Sequence, residues 1–166
     1  MNNQNPPAGT KTQILISENF TELTSVIGSR RTFILADQKV ASLFKKEIPK
    51  GPVFLFDANE DNKSLESVNN IYSWLLEKGA DRHSLLLGIG GGVTCDVAGF
   101  VAATFMRGMD CGLIPTTLLA QIDAAIGGKN GVNLEGYKNI VGTIVQPSFI
   151  YTNQSFLKTL EPDEFQ

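Results

Sequence analysis

Short runs of β-branched and aliphatic residues alternate with stretches of helical periodicity along most of this chain. The runs that read as strands are 12–17, 32–36, 53–57, 84–88, 112–114 and 149–152, each bounded by Gly, Pro, Asp or Asn. All are short and mostly apolar without strict alternation, as strands buried on both faces are. Helical spacing is clearest over 64–78, where Leu65, Val68, Tyr72, Leu75 and Leu76 keep one apolar stripe and Gly79 follows as a stop. Residues 93–104 and 118–126 are also predicted to be helical. Strands that alternate with helices predict the α/β class: one parallel sheet with helices on both faces, in a single domain over 11–160. The Asn-, Pro- and Gly-containing stretch 1–10 is expected to be a flexible tail. Residues 161–166 are charged and close no element, so they are expected to start a linker in a chain that looks cut rather than finished.

Composition narrows the functional classes. The chain has 166 residues, of which 42% are hydrophobic and 19% charged, enough apolar material for one buried core. A net charge of −3 offers no basic surface for nucleic acid. No run is long and apolar enough for a membrane span, and 1–10 has no signal-peptide pattern, so a cytoplasmic protein is expected. Cys95 and Cys111 sit among apolar neighbours and read as free buried thiols. His83 is the single histidine, whereas common catalytic zinc sites use two or three, so no metal site is expected from this chain alone.

The richest segment runs from the strand 84–88 through Gly90, Gly91 and Gly92 into the helix 93–104. Glycines at a strand-to-helix turn let a ligand approach the backbone and leave the first N–H groups of the helix aimed at an anion. The spacing departs from G-x-G-x-x-G because Val93 holds the third position, and a tight structural turn explains the glycines as well. Asp96 adds chemistry, since a carboxylate among Val97, Ala98, Phe100 and Val101 is costly without a partner; a solvated outer face is the alternative. Thr116 and Thr117 leave the next strand at a position to cap a helix or contact a ligand. Asp123, Lys129, Asn133, Lys138 and Asn139 then gather in and before what reads as a glycine-punctuated loop, a set suited to anionic and hydroxyl groups.

These residues, read in order, resemble the 3-dehydroquinate synthases: Gly90 to Phe100, Arg107-Gly108, Pro115 to Asp123, Gly127-Gly128-Lys129 and Lys138-Asn139, with outlying matches at Asp37, at Glu60 to Lys63 and at Leu157 to Leu160. The resemblance implies a Rossmann-like fold and an enzyme of the shikimate pathway. Such an enzyme uses NAD and zinc or another divalent metal to turn 3-deoxy-D-arabino-heptulosonate 7-phosphate into 3-dehydroquinate and phosphate. It also implies roles for individual residues. Asp37, Glu60, Lys63, Gly91, Gly92, Val93, Asp96, Thr116, Thr117, Lys129, Lys138, Phe156, Leu157 and Thr159 would contact NAD. Asp123, Lys129 and Asn139 would face the substrate as catalytic groups, and Arg107 would reach a substrate phosphate across a homodimer interface. The family's metal ligands, one Glu and two His, would lie in a helical domain beyond Gln166, so the chain by itself is expected to be inactive. Two departures stand out: Asn153 replaces a usual Asp, and Leu160-Glu161-Pro162-Asp163-Glu164 replaces Leu-Pro-x-Arg-Glu. A related sugar-phosphate cyclase and a stand-alone NAD-binding module are the alternative readings.

Overall fold

The computed structural model describes residues 12–159. The tail 1–10 and the segment 161–166 lie outside the described residues. Six strands, β1 (Gln13–Ile16), β2 (Thr32–Asp37), β3 (Val53–Phe56), β4 (Leu85–Gly90), β5 (Asp110–Pro115) and β8 (Phe149–Thr152), form one sheet in which every pairing is parallel. Their order is β1-β8-β5-β4-β2-β3. Without the edge strand β1 this is the 2-1-3-4-5 order of a doubly wound sheet. The chain leaves β2 toward β3 on one side and returns to β4 on the other, so the switch point lies between β2 and β4.

Side-chain alternation divides the core into two layers. Phe33 and Leu35 of β2, Leu86 of β4 and Ile150 of β8 face α3 (Leu65–Glu77) and α4 (Gly92–Thr104). Ile34, Ala36, Leu85, Leu87 and Tyr151 face α1 (Phe20–Ile27) and α2 (Gln38–Leu43). Helices therefore cover both faces, as the alternation predicts. Ser64 caps α3 by accepting from Ser67 N at 3.2 Å. Val68 and Leu75 of the predicted stripe are buried and Ile71 joins them in full burial, whereas Leu65 and Leu76 are exposed.

The helices α1 and α2 have no counterpart in the sequence reading. The first had a legible start, because Asn19 accepts from Thr21 N at 3.0 Å and Leu23 and Ile27 recur on one face. The second is six residues long, too short to display a period. It begins where Asp37 accepts from Lys39 N at 2.7 Å.

Two expectations need correction. The glycine-punctuated loop is a β-hairpin of β6 (Lys129–Leu134) and β7 (Tyr137–Ile144), antiparallel and outside the main sheet. Its glycines and asparagines hide strand propensity, but Glu135 and Gly136, with φ of 51° and 82°, supply the two-residue turn such a hairpin uses. The helix over 118–126 is wound as a π-helix at Ala120–Ala124. Ala125 N reaches Ala120 O at 3.0 Å, a wide turn often found at functional sites.

Candidate functional site

The carboxyl ends of β2, β3, β4 and β5 open into a cavity of about 600 Å³ at the switch point. Seven of the sequence-predicted residues line it: Asp37, Gly91, Gly92, Val93, Thr116, Thr117 and Phe156. The register Gly90↔Pro115 brings the glycine turn and the threonine pair to neighbouring strand ends. Gly88 and Gly90 serve packing, since a Cβ at Gly88 would lie 2.6 Å from Ala98 Cβ and one at Gly90 would lie 2.5 Å from Thr94 Oγ1. They let α4 lie close on β4, which answers half of the question the glycines raised. The other half belongs to Gly91 and Gly92, which open α4 with no side-chain cap on its first N–H groups. Those donors and the positive end of the helix dipole face the cavity and suit an anion. Thr117 does cap, accepting from Ala120 N at 3.2 Å. Asp57 and Asn59 also line the cavity, though the sequence reading passed over them. Their signal was Asp57 following β3 directly, much as Asp37 closes β2.

A second cavity, of about 540 Å³, lies between α4, the π-helical turn and the hairpin. Asp96, Asp123, Lys129 and Asn139 line it, so the structure brings together the three residues singled out for chemistry. Lys129 Nζ stands 3.9 Å from Asp123 Oδ1, with both side chains largely exposed. Asp96 has the partner its surroundings demand: Lys63 Nζ donates to Asp96 Oδ2 and, at 2.6 Å, to Asn139 Oδ1. Burial pushes the Asp96 carboxyl above its ordinary range, and the Lys63 ammonium opposes that push. Thr143, on the cavity wall, carries a buried hydroxyl with no hydrogen-bond partner among the described residues; no sequence signal marked it.

Glu60, Lys63 and Lys138 are in neither cavity lining. They join the segment before α3 to the hairpin: Asn133 Nδ2 donates to Glu60 Oε1 at 2.9 Å, and Lys138 Nζ stands 3.9 Å from the same oxygen. Leu157 and Thr159 follow Phe156 in the 3-10 helix Gln154–Thr159. Arg107 is not brought to either cavity. It is exposed between α4 and β5, at the amino edge of the sheet, with φ of 67° after Met106 at 49°. His83 is exposed ahead of β4 at that same edge. Among the described residues no group of three or more His, Cys, Asp or Glu side chains could hold a metal. Cys95 and Cys111 are free and buried. No helix among the described residues is long and apolar enough to cross a membrane.

The all-parallel doubly wound sheet and its open switch-point cavity define a Rossmann-like α/β unit. Residues 53–166 match the family described as 3-dehydroquinate synthase N-terminal, and the chain belongs to that family. The 3-dehydroquinate synthase of Clostridium tetani is 44% identical over 140 residues, covering 81% of this chain and 38% of that protein. The chain thus spans less than half the length of this curated relative. Among solved structures, the 2-epi-5-epi-valiolone synthase of Streptomyces hygroscopicus subsp. jinggangensis, with NAD+ and Zn2+ bound, superposes with a TM-score of 0.85 at 28% identity, over 93% of this chain and 46% of that one. A 2-deoxy-scyllo-inosose synthase complexed with carbaglucose-6-phosphate, NAD+ and Co2+ gives 0.80 at 27% identity, over 95% and 47%. These relatives support membership of a sugar-cyclase enzyme group.

Proposed function

We propose that the chain is the nucleotide-binding part of a 3-dehydroquinate synthase, acting on 3-deoxy-D-arabino-heptulosonate 7-phosphate with NAD to give 3-dehydroquinate and phosphate. The observation that carries this reading is that one turn of α4 joins the two cavities: Val93 lines the switch-point cavity and Asp96 the polar one. A dinucleotide anchored at the first would reach a hydroxyl held in the second.

The residues present fit NAD. The uncapped N–H groups of Gly91, Gly92 and Val93 would hold the pyrophosphate. Asp37, whose Oδ1 caps α2, would accept from a ribose hydroxyl with its other oxygen. Thr116, Thr117 and Phe156 would flank the dinucleotide, and Leu157 and Thr159 follow Phe156 in the same 3-10 helix. NAD supplies a reversible oxidant when bound. In the second cavity the Asp123 carboxylate would accept a substrate hydroxyl proton, while the Lys129 ammonium holds anionic charge beside it. Asn139 would donate from its amide.

Arg107 is exposed and lines neither cavity of its own chain, which suits service to a second copy's substrate phosphate. The donor set does not fit a catalytic metal, because His83 lies at the wrong edge and no cluster forms among the described residues. The metal ligands would come from the part of the relatives that this chain does not span, and no residue here is given that role.

The test is phosphate release from 3-deoxy-D-arabino-heptulosonate 7-phosphate in the presence of NAD and a divalent cation. The chain alone should release none. Mixing it with the C-terminal part of the Clostridium tetani relative should restore release, and Lys129→Ala should abolish it again. Release by the chain alone would overturn the assignment of the missing ligands. A mixture that binds NAD yet turns over only a different sugar phosphate would make this a related cyclase.

A further inference from the structure

We propose that Glu60 and Lys63 are positioning residues that fix how the amide of Asn139 is presented to the ligand of the second cavity. The idea rests on the reading of that cavity as the sugar-phosphate site. An ammonium only donates, so the atom of Asn139 that meets Lys63 Nζ at 2.6 Å must be its carbonyl oxygen. The amide Nδ2 is thereby turned away from Lys63 as a donor. Lys63 is held in place in turn, because its side chain is 6% exposed and its ammonium also donates to Asp96.

The same logic operates one turn earlier in the chain. A carboxylate only accepts, so the atom of Asn133 that meets Glu60 Oε1 must be Nδ2. This leaves Asn133 Oδ1 to accept from the backbone N–H of Asn139 at 2.9 Å. Asn133 N also donates to Lys63 O at 2.7 Å, which docks the whole segment on β6. Asn139 itself is held at φ of 54°, in the left-handed region, where the irregular pairing of β6 with β7 lies between Val132 and Leu134. Asparagine tolerates that conformation better than most residues. Its backbone is thus set through Glu60 and its side chain through Lys63. The free donor is oriented before any ligand arrives, the kind of preorganisation that keeps ordering costs out of binding.

Such positioning is read at the second cavity, in what each variant loses there. In 15N NMR of the chain, Lys63→Met should shift the Asn139 side-chain amide pair, while resonances of residues lining the switch-point cavity stay in place. With NAD saturating, affinity for 3-deoxy-D-arabino-heptulosonate 7-phosphate should then be reduced about tenfold. Asn139→Asp, which keeps an acceptor for Lys63 but removes the donor, should lose as much. The double variant should lose no more than either single one. If Lys63→Met unfolds the chain by leaving Asp96 unpaired, Lys63→Met/Asp96→Asn removes both charges and is read by the same amide signal and sugar-phosphate titration. Intact sugar-phosphate binding, or an unmoved Asn139 amide, would overturn the proposal. A wild-type chain that does not bind the sugar phosphate would instead overturn the reading of the cavity, and the amide signal would still decide the role of Lys63.

Discussion

Gly99 leaves α4 bare at the point where the Asn130 side chain of the hairpin lies across it, and a Cβ on Gly99 would overlap the Asn130 carboxamide. Asn130 is not free to yield. Its Nδ2 donates to Gly128 O and to Val145 O, both at 2.9 Å, tying together the two ends of the hairpin. This contact seats β6 and β7 against α4 and so shapes the second cavity.

Gly99→Ala should therefore destabilise the chain despite its helical position. Alanine gains about 0.5–1 kcal/mol over glycine in a helix interior. Forcing apart a packed contact costs about 1–3 kcal/mol, and a buried amide that loses its acceptors adds to this. Urea unfolding should show a lower midpoint. An unchanged or higher midpoint would mean that the hairpin is not held by this contact.

Asp37 separates binding from stability. Asparagine caps a helix about as well as aspartate, so Asp37→Asn should keep α2 and move stability by less than about 0.5 kcal/mol. The lost carboxylate should weaken NAD binding about tenfold, in line with about 1.5–3 kcal/mol for a hydrogen bond to a charged group. Calorimetry on the variant measures both, by titration and by thermal scan. Undiminished NAD affinity would place the ribose elsewhere.

The cysteines should be inert in the native chain. Burial pushes the Cys111 thiol up to about 12, with the Asp110 charge adding to it, and burial pushes Cys95 higher still. A thiol whose folded pKa is raised contributes stability that is complete below its ordinary value and is lost as pH rises through the folded one. For Cys111 that loss falls in the window from about 8.5 to 12. Iodoacetamide at pH 8 should therefore label neither residue until denaturant opens the fold. Prompt labelling of the native chain would contradict their burial.

The sequence showed most clearly what one apolar run decides by itself. Phe33 to Ala36 and Leu85 to Leu87 are almost uninterrupted because both faces of β2 and β4 are covered, and the parallel sheet follows from that. The glycine turn and the Thr116-Thr117 pair were legible because ligands meet an open sheet at its carboxyl edge, whereas Asp37 and Phe156 were expected only from the family resemblance. What escaped was set by distant partners. The hairpin depends on Glu135 and Gly136 adopting positive φ and on α4 providing a bare surface at Gly99. The partner of Asp96 lies 33 residues away at Lys63, and no local pattern announces such a pair.

We place the dinucleotide pyrophosphate on the first turn of α4, a placement that Gly92→Asp probes. A Cβ there reaches Ala124 Cβ at 3.4 Å, ordinary contact, and an acidic residue at a helix start suits the dipole, so the fold should be kept or slightly stabilised. The new carboxylate would occupy and repel the anion's place. Calorimetric titration of NAD should show one site in the wild-type chain and at least tenfold weaker binding in Gly92→Asp, with no fall in Tm. Equal affinity in the two proteins, or no binding by the wild-type chain even at millimolar NAD, would mean that the pyrophosphate does not sit on this turn.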